Sequence, residues 1–136
     1  MPDHPLFMSS RHLDLLNRRL LESEAVTRLC SELDRDLCLL YDLSDGPDGD
    51  RVYWRTDFKR LGGVCFSLQR GVGSHDVIIV GRYWDIIDAV QGKSPMPAPQ
   101  GAVDDIEEIM TLLTSHELRT CAVPVVFPTR PVDSID

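Results

Sequence analysis

A chain of 136 residues is long enough for one domain with a real core and too short for two comfortable ones. Its 43% apolar and 26% charged residues fit an ordinary globular protein, and no apolar run approaches the roughly 20 residues of a membrane span. The net charge of −8 argues against nonspecific binding to nucleic acid, because neutralising phosphates takes clustered positive charge.

The charge is unevenly spread. Residues 1–50 carry five arginines against eleven acids, a net −6, and residues 83–136 carry three basic groups against nine acids, also −6. Between them, residues 51–82 hold six basic groups against Asp57 and Asp76, a net +4. A basic middle flanked by acidic ends leaves room for a local anion or an acidic partner. The N-terminus, MPDHPLFMSS, lacks the basic start and apolar stretch of a secretory signal, so a cytoplasmic location is expected.

In chain order, residues 1–8 hold two prolines and no periodicity, and read as an irregular arm. Ser9 or Ser10 can cap a helix carrying Leu13, Leu16 and Leu20. Val26, Cys30, Leu33, Leu37 and Leu40 form a second stripe at alternating steps of four and three. The two stripes differ in phase by roughly 100°, so one straight helix cannot serve both, and a break with Ser23 as the new cap is expected. Residues 45–50, DGPDGD, make a turn whose carboxylates lack the order of a calcium-binding EF-hand loop.

Arg51 to Phe58 alternates cleanly, with Val52, Trp54 and Phe58 on one face and Arg51, Tyr53, Arg55 and Asp57 on the other. Lys59 to Gly63 turns the chain into Val64–Arg70, which also alternates. The run DVIIVGRY at 76–83 is the most apolar short stretch and does not alternate, so it reads as the central strand, with Ile79 among the least exposed residues. The glycines of Gly71-Val72-Gly73-Ser74 suggest a hairpin joining it to the strand before. A short helix over Trp84–Val90 follows, then a proline-rich connector at 93–101. Val103–Glu117 is a helix on the stripe Ile106, Ile109, Met110 and Leu113, with acids crowding its positive end. Cys121–Phe127 reads as a last strand, placed at an edge by Pro124, and 128–136 as a frayed tail.

These elements add up to a single α+β domain over 1–136, a two-layer sandwich with an antiparallel sheet of about four strands and helices packed on one face. Element order and acidity loosely resemble small acidic secretion chaperones, a resemblance that implies a protein-binding role.

Nothing in the sequence marks catalysis, a metal or a cofactor. The four cysteines at 30, 38, 65 and 121 lack zinc spacing and read as buried thiols. The acids at 104–108 serve the helix dipole rather than a metal. Gly71 and Gly73 join strands instead of opening a helix, so they do not form a phosphate loop. Cys65 and His75 would make a nucleophile pair, but in the expected hairpin they stand roughly 16 Å apart. Arg51, Tyr53, Arg55, Ser67 and Gln69 share the polar sheet face, a mixture suited to an interface. The leading expectation is therefore a small acidic, non-catalytic binding protein, an adaptor or regulator that pairs with a protein partner or with itself as a homodimer. The alternative is a small-molecule binder or enzyme using a pocket on the open sheet face.

Overall fold

Serine oxygens fix where the first helices begin. In the computed structural model, which describes residues 4–129, the Ser9 side chain accepts from His12 N–H and starts α1 (Ser10–Glu22). Ser23 ends α1 by donating its N–H to Leu20 O, and its hydroxyl accepts from Val26 N–H to open α2 (Glu24–Cys30). The break expected from the phase jump thus rests on one residue with two roles.

The chain then forms β1 (Leu37–Ser44), β2 (Val52–Lys59), β3 (Gly63–Gln69) and β4 (Val77–Arg82). After these come α3 (Tyr83–Val90), the two-residue β5 (Gln100–Gly101), α4 (Val103–Leu113) and α5 (His116–Arg119). All strands lie in one sheet in the order β3-β2-β1-β4-β5. The pairs β1–β2, β2–β3 and β4–β5 are antiparallel, whereas β1 and β4 are parallel.

The α+β class holds, but the sheet is mixed and five-stranded instead of antiparallel and four-stranded. The difference begins at Leu37–Leu40, whose spacing from Leu33 imitates a helix. Leu37, Cys38, Leu39 and Leu40 are all buried, the mark of a strand covered on both faces, and this strand is the centre of the sheet. With β1 in the middle, β4 joins its other side, and Gly71–Ser74 crosses between separated strands instead of closing a hairpin. The hairpins are instead β1–β2 and β2–β3, the second turned at Lys59–Gly63, where Gly63 takes φ 77°.

Three further elements differ. Cys121–Phe127 adds no strand to the sheet, and only Val126 makes a parallel bridge, to Leu6 in the arm. The proline-rich connector ends in β5, paired to Val77 and Ile78. The helix expected over 103–117 stops at Leu113, and Ser115 caps α5 by accepting from Leu118 N–H. The tail expected to fray lies outside the described residues from position 130 onward.

Register sorts the side chains. Leu39, Thr56 and Phe66 stand side by side, as do Leu37, Phe58 and Val64, and Val77 and Ile79 share their face. This inner face packs against Leu20 of α1, Val26 and Cys30 of α2, Ile86 and Ile87 of α3, and Ile109 and Leu112 of α4. Ile79 is 1% exposed, as its mid-strand position implies. Asn17 closes the edge at β3, where its amide donates to Phe66 O and accepts from Phe66 N–H, each at 2.8 Å. A helix side chain thus stands in for a missing strand.

Candidate functional site

The inner face is not packed solid. Between Trp54 and Phe66 of the sheet, Leu16 and Leu20 of α1, Leu113 of α4, Leu118 of α5 and the segment ending at Phe127 lies a cavity of about 420 Å³. Its walls are overwhelmingly aliphatic and aromatic, with Arg119 and His12 among the few polar side chains that line it. Size and lining both fall within the range of roughly 300–1,000 Å³ for mostly apolar small-molecule pockets.

His12 is the chemical exception in that wall. It is 5% exposed, and its ring stacks on Trp54 at 5.7 Å between centroids and lies 5.6 Å from Phe7. Its Nδ1 accepts from Met8 N–H at 3.0 Å, which leaves the proton of the neutral ring on Nε2. Burial pulls its pKa below 6.5, so neutral is the resting state. Nε2 has no protein hydrogen-bond partner among the described residues. An imidazole N–H therefore lines a largely apolar chamber, together with Arg119.

The segment holding Phe7 is built around that histidine. Met8 takes φ 63°, a conformation that bulky residues seldom adopt. Its buried side chain and its N–H bond to His12 hold it there, and Phe7 N–H donates to Val126 O at 2.9 Å. Phe7 is thereby set against Trp54 (6.0 Å) and Phe127 (5.2 Å).

Phe7 also lines a second cavity, of about 390 Å³, shared with Arg51, Tyr53, Leu68, Gln69 and Tyr83. Three of the five residues expected to bind, Arg51, Tyr53 and Gln69, thus meet at one hollow. The other two do not join them. Arg55 is bound by Asp57 (Nε to both carboxylate oxygens at 3.1 Å) and donates to Ser74 O, while Ser67 accepts from the Gln69 amide.

The outer face carries its own cavity, of about 430 Å³, lined mainly by charged residues that include Arg55, Asp57, Lys59 and Asp76. Cys38 and His75 both line it, so Cys38 is the cysteine that shares a hollow with His75. Cys65, the cysteine weighed against His75 and set aside on distance, lies on β3 opposite Asp57, and it is exposed rather than buried as expected. Desolvation pushes the Cys38 thiol up to about 11, which keeps it protonated and a poor nucleophile at neutral pH. Among the described residues no group of three or more His, Cys, Asp or Glu is arranged to hold a metal ion. No helix among them is long and apolar enough to cross a membrane.

His12, Leu16 and Trp54 were not singled out from sequence as site residues. One signal was there: His12, Leu16 and Leu20 recur at steps of four, so a histidine stands on the apolar stripe of α1.

No protein-family model matches the sequence, and no curated protein matches it. Solved structures do match the fold. The solution structure of a conserved hypothetical protein of Thermus thermophilus, described as possibly a sterol carrier protein, aligns with TM-score 0.58 and 16% identity over 90% of this chain and 96% of that one. Apo Sterol Carrier Protein 2 from Yarrowia lipolytica aligns with TM-score 0.52 and 18% identity over 79% of this chain and 90% of that one. These likenesses correct the adaptor expectation, and the loose chaperone resemblance falls with it. Arg51 and Arg55, the cations expected to meet an acidic partner, are instead engaged by Asp42 and Asp57 of their own sheet. The chain has the fold of the sterol carrier protein structures.

Proposed function

We propose that this protein binds a small, predominantly apolar molecule of the sterol or lipid type in the cavity beneath the inner sheet face. The observation that carries this reading is the cavity of about 420 Å³ with mostly aliphatic and aromatic walls, among which His12 and Arg119 are the ionisable groups. Burying apolar ligand surface there contributes on the order of 25 cal/mol per Å². The Nε2–H of His12 orients the ligand through an oxygen atom, since a donor set among apolar walls gains from an acceptor that a hydrocarbon ligand lacks. The fold shared with Sterol Carrier Protein 2 and with the Thermus protein described as possibly a sterol carrier supports this reading and favours carriage or presentation of the molecule. The pocket differs in place from the one the sequence suggested: it lies under the helices, not on the open face.

The test is titration with N-phenyl-1-naphthylamine, whose emission rises in apolar surroundings. Wild type should bind it saturably. Leu16→Trp, which fills the cavity from α1, should reduce binding by at least about ten-fold, or ~1.4 kcal/mol, while the thermal midpoint stays near the wild-type value. A wild type that binds no probe, or a folded Leu16→Trp protein that binds as well as wild type, would sink the reading.

A further inference from the structure

Phe7 lines both the apolar cavity and the second one beside Tyr83, so the two hollows meet at one side chain. They differ in chemistry. The apolar cavity offers His12 and Arg119 as its charged or ionisable groups, whereas the second mixes Leu68 and Val52 with Ser9, Gln69, Tyr53 and Arg51. Tyr83, one of the second cavity's walls, is 1% exposed, and its hydroxyl has no hydrogen-bond partner. A buried phenol left in that state forfeits the hydrogen bonds it made to water in the unfolded chain. The hydroxyl is closed off from solvent, so it donates to a ligand only once a neighbouring side chain of this wall shifts.

The one cation of this second hollow is already paired, and an acid is left over. Arg51 binds Asp42 through Nε at 3.1 Å and Nη2 at 3.0 Å, and Asp48 adds a carboxylate to the wall. No uncompensated cation waits for an anionic head group. A neutral oxygen fits the site better than a carboxylate or phosphate, because a buried anion without a counter-charge is strongly disfavoured.

We propose that the second cavity is the head-group end of the ligand site, with Phe7 as the partition between its two chambers. The ligand is then an elongated amphiphile, its chain in the apolar chamber and an uncharged hydroxyl, ester or amide oxygen beside the Tyr83 hydroxyl. This inference rests on the apolar-binding reading above and adds to it the ligand's shape, polarity and orientation. The segment carrying Phe7 suits a movable partition. Phe7 is half-buried and held by ring contacts to three aromatic groups, and its neighbour Met8 occupies a left-handed turn tied to His12. Rotating one phenyl ring joins the chambers without unfolding an element.

The experiment compares dodecan-1-ol with dodecane as competitors for bound N-phenyl-1-naphthylamine, in wild type and in Tyr83→Phe. The variant deletes only the hydroxyl and removes a buried unpartnered group, so its thermal midpoint should equal or exceed that of wild type. Dodecan-1-ol should bind wild type more tightly than dodecane, and Tyr83→Phe should weaken the alcohol by about three- to ten-fold while leaving dodecane unchanged. Phe7→Ala should strengthen the alcohol relative to the probe, because no ring has to move. If Tyr83→Phe weakens alcohol and alkane alike, or neither, the head-group assignment is overturned while apolar binding stands. If wild type binds neither competitor nor the probe, both readings fall together.

Discussion

The two faces of one sheet hold cavities of nearly equal volume, about 420 Å³ inside and about 430 Å³ outside, with opposite chemistry. Outside, charged groups answer one another: Arg55 engages Asp57, Arg35 bridges Asp76 and Asp105, and the Asp76 carboxylate accepts from Cys38 N–H. A ligand there would have to displace bonds already made. Inside, mostly aliphatic and aromatic walls face one another across the hollow, with the His12 N–H and Arg119 among them. A ligand there replaces water against apolar surface and costs no existing hydrogen bond. Volume alone does not make a site, and the difference lies in what the lining has left to offer.

Truncations on β4 should separate the faces most sharply, because successive residues point opposite ways. Ile79 is 1% exposed on the inner face, and Val80 is 43% exposed on the outer. Ile79→Ala should cost about 2–5 kcal/mol in denaturant melts, the range for an unfilled core cavity. Val80→Ala should stay within about 0.5 kcal/mol of wild type. Equal losses at both positions would mean that the outer face is covered too, and the contrast would fail.

Parts of this arrangement were legible in the sequence and parts were not, for physical reasons. Ser23 was readable because a phase jump and a capping residue coincide there, and α3 because its apolar spacing is unbroken. β1 was misread because Leu33, Leu37 and Leu40 happen to fall at helical steps, and a strand buried on both faces has no alternation to betray it. That single misreading moved the sheet's centre from β1 to β4 and turned a crossover into a hairpin. The polar face of β2 was assigned correctly, but the sequence does not reveal that Asp42 and Asp57 neutralise its arginines, since one of those pairs spans strands. The cavity was invisible for a related reason. Its walls come from α1, the sheet and the segment after α5, residues more than 100 positions apart that only tertiary packing brings together.

The inner face should also respond to acid through His12. Its folded-state pKa lies below 6.5, so between that value and 6.5 the unfolded chain binds more protons than the folded one. The stability that neutral His12 contributes is fully present above about pH 6.5 and is lost as pH falls through that window. Protonation at Nδ1 would also remove the acceptor for Met8 N–H and set a charge beside Trp54 and near Arg119. Thermal midpoints measured from pH 8 to pH 5 should fall more steeply for wild type than for His12→Gln. Parallel curves would show that His12 stays solvated and is not part of the apolar wall.

The smallest effect belongs to the outer face. Arg55 and Asp57 have side chains 21% and 24% exposed, and the guanidinium meets the carboxylate through both Nε and Nη2. Across the β1–β2 register Arg55 stands opposite Leu40 and Asp57 opposite Cys38, both buried, so the arginine stem shields apolar surface as well as carrying charge. A double-mutant cycle with Arg55→Ala and Asp57→Ala should return a coupling of about 1 kcal/mol, at the upper end for pairs in contact with solvent. The Arg51–Asp42 pair, whose arginine is 51% exposed, should couple more weakly and lose more of its coupling in high salt. The Arg55–Asp57 cycle should not move the affinity for N-phenyl-1-naphthylamine, because those charges lie across the sheet from the apolar chamber. A change in probe affinity in the Arg55 and Asp57 variants would mean that the faces communicate through β1, and the outer charges would then belong to the binding site after all.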